Sequence, residues 1–111
     1  MIDEPTVYLS SSAVIPDAKI AKCLLMPLPK DDKSKLLAQA GYTLDNWQQL
    51  KKDLQTQVLT QPARFIETNR YGDKYEICAR LTGQNEVSLD VLIIWIVNDG
   101  TTRFVTLVPD K

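Results

Sequence analysis

Seven consecutive apolar residues, Val91-Leu92-Ile93-Ile94-Trp95-Ile96-Val97, constrain this chain more than any other feature. A bilayer span needs about 20 such residues, so the run is no membrane helix. Its β-branched and aromatic residues suit a pleated surface. Being apolar on both faces, it must be a central strand covered by helices on one side.

Its neighbours are marked by three turn cues. Tyr71-Gly72-Asp73 separates 64–70 from 74–81. Gly83-Gln84-Asn85 separates 74–81 from 87–97. Asn98-Asp99-Gly100 separates 87–97 from 102–108, and its Asp-Gly pair is the strongest short hairpin signal in the chain. Three hairpins in series predict a four-stranded antiparallel meander over 63–109.

Residues 16–60 read differently, with apolar positions at helical spacing. Pro16 suits a first helical turn, and Pro27 and Pro29 end that helix. A second, short helix is capped by Asp31 or Asp32, buries Leu36, Leu37 and Ala40, and stops at Gly41. Thr43 caps a third, along which Leu44, Trp47, Leu54 and Val58 recur. Val7-Tyr8-Leu9 reads as a short edge strand. The expected architecture is α+β, with N-terminal helices on one face of the meander and residues 1–111 forming one domain. Leu24, Leu37, Trp47, Leu54, Tyr75, Ile77, Ile94 and Trp95 are the expected core.

Composition excludes several function classes. The chain has no histidine, which removes Ser-His-Asp and Cys-His catalysis and His-ligated metal sites. Cys23 and Cys78 lack CxxC spacing and are expected as reduced thiols. No cofactor is implied. Thirteen basic and 14 acidic side chains give a net charge of −1, spread evenly along the chain. That balance argues against DNA binding and strong nonspecific nucleic-acid affinity, while leaving room for a small basic site. The N-terminus has Asp3 and Glu4 and no basic start before an apolar stretch, which predicts no secretory signal and a cytoplasmic location.

Strand alternation singles out one face of the second strand. Tyr75, Ile77, Ala79 and Leu81 face the core; Lys74, Glu76, Cys78 and Arg80 face away. Read as chemistry, Glu76 is a proton acceptor, with Lys74 and Arg80 holding an anion. Read as surface, these are cross-strand charge pairs worth tenths of a kcal/mol. In the fourth strand simple alternation puts Thr102, Phe104, Thr106 and Val108 on one face. Lys30, Lys33 and Lys35 cluster near a helix start, where an anion would be attracted.

The string Ile15-Pro16-Asp17-Ala18-Lys19-Ile20, then Leu24-Leu25, Lys35 and Gly41-Tyr42-Thr43, resembles the opening of a family of small bacterial proteins. Tyr71-Gly72-Asp73-Lys74-Tyr75, Ile94-Trp95-Ile96-Val97 and Val105-Thr106-Leu107-Val108-Pro109 resemble its later motifs. The family is sometimes labelled adhesin-like and occurs alone or at the ends of large exported proteins. Its element order is similar to the fold of barnase, EndoU, colicin-type and RelE-type ribonucleases, in which RNA lies on the open sheet face. Where members usually carry histidine this chain reads Met26-Pro27-Leu28-Pro29-Lys30-Asp31-Asp32-Lys33; RelE-type enzymes use Lys, Arg and Tyr instead.

The resemblance implies a ribonuclease-toxin-like domain that cleaves RNA by 2′-OH attack and is silenced by a small antitoxin- or immunity-like protein. Glu76 would be the base, Lys33, Lys35, Lys74 and Arg80 the phosphate contacts, and Tyr71 or Thr106 the hydrogen-bonding groups. The competing expectation is a non-catalytic protein-interaction module, favoured by the missing histidine, the even charge and a pI near 5.3.

Overall fold

The computed structural model describes residues 7–10, 12–20, 34–83 and 85–109. Four strands, β1 (Arg64–Asn69), β2 (Gly72–Thr82), β3 (Ser88–Asn98) and β4 (Thr101–Pro109), form one antiparallel sheet in the order β1-β2-β3-β4. The apolar run lies inside this sheet, in β3, as its composition requires. Asp99 and Gly100 both take positive φ (51° and 77°), the geometry that a two-residue hairpin demands.

The helical layer is α1 (Ser34–Ala38), then a continuous helical run from Leu44 to Val58. That run opens as a 3₁₀ turn, becomes α2 (Trp47–Asp53), and closes as a π-helical turn over Leu54–Val58. Asn46 Oδ1 accepts the Thr43 N–H at 2.8 Å, fixing the start of the run. Gly41 (φ 84°) ends the segment behind α1 in the left-handed conformation that glycine tolerates. Residues 17–20 are helical, with the Lys19 and Ile20 N–H groups donating to the Pro16 carbonyl. The rest of the first expected helix, including Cys23, Leu24 and the Lys30–Lys33 loop, lies outside the described residues.

One sheet face meets the helices. Ile77, Leu81, Val91, Ile93, Trp95 and Leu107 are fully buried against Ile20, Leu37, Leu50, Leu54 and Val58. Trp95 and Phe104 pair edge to face, ring centroids 5.6 Å apart. Strand alternation sends Ile94 to the other face, where it is half-buried; its expected place in the core is corrected. Trp47 and Tyr75 are likewise half-buried, packed against the core's margin.

A bulge changes β4. Ile94 pairs with Thr106 but Trp95 pairs with Phe104, leaving Val105 as the extra residue. Thr102 and Phe104 therefore face the core together with Leu107, while Thr106 and Val108 join Arg103 on the open face. The face assignment from simple alternation is corrected accordingly. The N-terminal segment straps the sheet. Ala63 N–H donates to the Val7 carbonyl, and Val14 bridges to β4 through Val14 N–H to Thr102 O and Phe104 N–H to Val14 O. Val7 thus makes a single bridge where a short edge strand was expected.

A buried polar cluster ties the layers together. The Tyr42 hydroxyl donates to Asp53 Oδ2 (2.5 Å) and to the Thr82 carbonyl (3.2 Å), and Gln49 Nε2 donates to Asp53 Oδ1 (2.8 Å). Burial, the hydrogen bond to Asp53 and the Asp53 charge all hold the Tyr42 phenol well above its ordinary 10.0. The folded state thus keeps its proton where the unfolded chain releases it. This contribution to stability is complete below about pH 10 and is lost as pH rises beyond it. Denaturant titrations from pH 8 to 11.5 should show wild type losing about 1.4 kcal/mol per pH unit more than Tyr42→Phe above pH 10. Parallel curves for the two proteins would contradict this.

Candidate functional site

The face of the sheet opposite the helices carries most of the expected site residues. Three cross-strand rows define it. Arg64, Glu76, Ile94 and Thr106 stand in the first; Cys78, Leu92 and Val108 in the second; Glu67, Lys74, Ile96 and Arg103 in the third. Arg80 faces Asp90 at one end. Adjacent strands lie about 4.8 Å apart, which sets Glu76 and Thr106 about 10 Å from one another.

Within the first row Glu76 is nearly buried, 8% exposed, although its strand face is open. Its Oε1 is ion-paired with Arg64 Nη2, contributed by the residue directly opposite on β1. Beside the pair lies a hollow of about 400 Å³ lined by Pro62, Ala63, Arg64, Glu76 and Cys78. Arg80 Nε donates to Asp90 Oδ1 at 3.1 Å across β2 and β3. Both members of that pair are mostly exposed, so it contributes little to stability. Lys74 is half-buried and has no carboxylate partner among the described residues. The centre of the face is aliphatic: Leu92, Ile94 and Ile96 are half-buried and face away from the core.

Not every expected residue joins this face. Lys35 is exposed on α1, in the helical layer, where Leu37 and Ala40 point into the core. Ala40, two residues past α1, rests against Gly83, at the end of β2 that is remote from Tyr71. Tyr71 sits in the β1–β2 turn, at the other end of the 11 residues of β2. The expected convergence of Lys35 with Glu76, Arg80 and Thr106 on one phosphate-sized patch is corrected: Lys35 belongs to the helical layer, and the other three to the sheet face turned away from it. Lys33 lies outside the described residues. Arg80 and Glu76 do not pair with each other; each has its own partner.

Two features were missed by sequence reasoning. One is Arg64 as the partner of Glu76, which becomes legible only once the β1–β2 register is known. The other lies where the turn of Arg70 and Tyr71 meets Asn98, Arg103 and Lys19 around a cavity of about 380 Å³. Its cations come from three distant segments, and no spacing in the chain announces them.

Among the described residues no group of three or more His, Cys, Asp or Glu side chains is arranged to hold a metal, and no helix is long and apolar enough to cross a membrane. Cys78 is exposed and carries a thiol, outside any disulfide; Cys23 lies outside the described residues. The family described as Domain of unknown function (DUF6883) matches residues 9–111, and the chain belongs to it. No curated protein and no solved structure matches the chain.

Proposed function

We propose that this member of the DUF6883 family is a non-catalytic interaction module that docks a small protein partner on the open face of its sheet. The observation that carries this reading is the state of the acid and the cation that RNA cleavage would need. A general base must reach the proton it takes. Glu76 is nine-tenths shielded and holds Arg64 instead. A phosphate contact brings net positive charge to the ligand, and Arg80 already stands beside the Asp90 carboxylate. Lys35 is on the other layer.

The same arrangement supports docking. Leu92, Ile94 and Val108 form an aliphatic centre, and the Arg64–Glu76 and Arg80–Asp90 pairs form a rim whose charges cancel. An apolar centre with a polar rim is the anatomy of a protein interface. Beyond those pairs the same face carries Lys74, Glu67 and Arg103, so the fitting partner surface is apolar at its middle and offers carboxylates toward Lys74 and Arg103 at its edge, a small acidic protein of the antitoxin or immunity type.

The test co-expresses the chain with the protein encoded by the adjacent reading frame. The two should co-purify, and Ile94→Lys should abolish the complex while Arg80→Ala, at an exposed pair, leaves it intact. RNA incubated with wild type should stay uncut. Cleavage by wild type that is lost in a folded Glu76→Gln variant would overturn the reading in favour of a ribonuclease. Self-association abolished by Ile94→Lys would reassign the face to a second copy of the chain.

A further inference from the structure

Lys19, Arg70 and Arg103 line one cavity of about 380 Å³ at the edge of the open face, with Tyr71, Asn98 and Phe104. Among the described residues no carboxylate lines it. The ion pairs among the described residues are Lys51–Asp17, Arg64–Glu76 and Arg80–Asp90, and none involves these three cations. Three positive groups around one hollow repel each other unless an anion joins them.

Two of the cations are also held in place. Lys19 Nζ donates to the Val105 carbonyl at 3.3 Å, the residue that the β4 bulge makes extra. The Arg70 guanidinium lies 5.0 Å from the centroid of the Tyr71 ring, and its Nη2 donates to the Tyr71 hydroxyl at 2.9 Å. Asn98 Nδ2 donates to the Tyr71 carbonyl at 3.0 Å, bracing the turn from β3. Arg103 is placed by the register that sets it opposite Ile96. Such pre-positioning lowers the ordering cost of binding.

We propose that this cavity binds the phosphoryl group of a small phosphate monoester. Guanidinium forks match the geometry of phosphate oxygens, and two of the three cations are arginines. The volume lies at the small end of ligand sites, enough for a nucleotide-sized molecule and too little for a large cofactor. The exposed Tyr71 ring at the mouth offers an aromatic surface to whatever the phosphoryl group carries. This site goes beyond the docking reading, because none of its cations belongs to the rim pairs and the chain alone should bind.

The experiment titrates the isolated chain with adenosine 5′-monophosphate, inorganic phosphate and adenosine, following backbone amide shifts. The monophosphate should give saturable shifts at Arg70, Asn98 and Arg103. Arg103→Ala and Arg70→Ala should each weaken binding by about tenfold or more, as loss of a charged hydrogen bond does. Lys51→Ala, whose charge is committed to Asp17, should bind as wild type does. Shifts from inorganic phosphate at the same amides would assign the affinity to the phosphoryl group itself. Shifts from the monophosphate alone would assign it to the ester. Adenosine binding as tightly as its monophosphate, no saturable shift with either phosphate, or undiminished binding by a folded Arg103→Ala variant would each overturn the proposal.

Discussion

Truncating Trp95 to alanine is expected to cost about 3–5 kcal/mol. A domain of this size has about 5–15 kcal/mol of stability in total, so the variant should be near the limit of folding. Trp95 is fully buried in β3, lies between Tyr75 on β2 and Phe104 on β4, and meets the Phe104 ring edge to face. No neighbour can collapse into the space, because the flanking positions belong to hydrogen-bonded strands. Urea titration of wild type and Trp95→Ala should show the midpoint falling with little change in slope. Trp95→Phe sharpens the test. The indole N–H of Trp95 is buried and finds no acceptor among the described residues, and an unsatisfied buried donor costs about 1–3 kcal/mol in the native state. Phenylalanine removes that donor and keeps most of the ring, so it should cost far less than alanine. Equal losses for the two variants would contradict this account of the site.

The strands were legible because turns are written locally. Asp99-Gly100 needs positive φ at both positions, and few other pairs accept that, so the hairpin follows from two residues. Once three turns are placed, sequential antiparallel order follows from the short connections. Face assignment is less robust, because a single inserted residue reverses it. Nothing in Arg103-Phe104-Val105-Thr106 marks a bulge, with neither glycine nor proline present. The bulge still moves Thr106 from the expected face to the opposite one. Ile94 and Trp95, adjacent in a strand, cannot both be core, and the fully apolar run hides which is which until the helices are seen to pack.

The candidate site was legible where one strand carried it and illegible where several segments did. Lys74, Glu76 and Arg80 share a face by alternation alone. Lys35 was joined to them by its charge, its place near a helix start and the family resemblance, and none of these says anything about layer. Arg64 and Glu76 meet because a β1–β2 register brings them opposite one another, with a further irregularity at Ile66. The cavity of Lys19, Arg70 and Arg103 draws on a helical turn, a hairpin turn and a strand. Long-range convergence of that kind is set by the whole fold.

Gly83→Ala tests the contact between the turn that follows α1 and the end of β2, and its effect should rank next to that of Trp95→Ala. A Cβ on Gly83 would overlap the Ala40 carbonyl oxygen and lie 2.7 Å from its carbon and 3.0 Å from the Ala40 Cβ. These are backbone atoms and a methyl on a fully buried residue, so no flexible side chain can yield. Relief requires moving the Gln39–Ala40 turn behind α1 or the β2–β3 turn. Moving either one strains the Gly83 N–H to Val87 O bond and the Asn85 Nδ2 to Gln39 O bond. Overpacking of this type costs about 1–3 kcal/mol, and the upper end is expected here because backbone must shift. Gly100→Ala is the control. Gly100 has nothing within 4 Å of an added Cβ but sits at φ 77°, so its cost is conformational, about 1 kcal/mol. Gly83 has no positive φ, so its cost is steric. Urea midpoints should therefore fall further for Gly83→Ala than for Gly100→Ala, and the amides of Gln39 and Ala40 should lose exchange protection only in the former. If Gly83→Ala proves the milder of the two, Ala40 does not rest on Gly83 as closely as the contact implies.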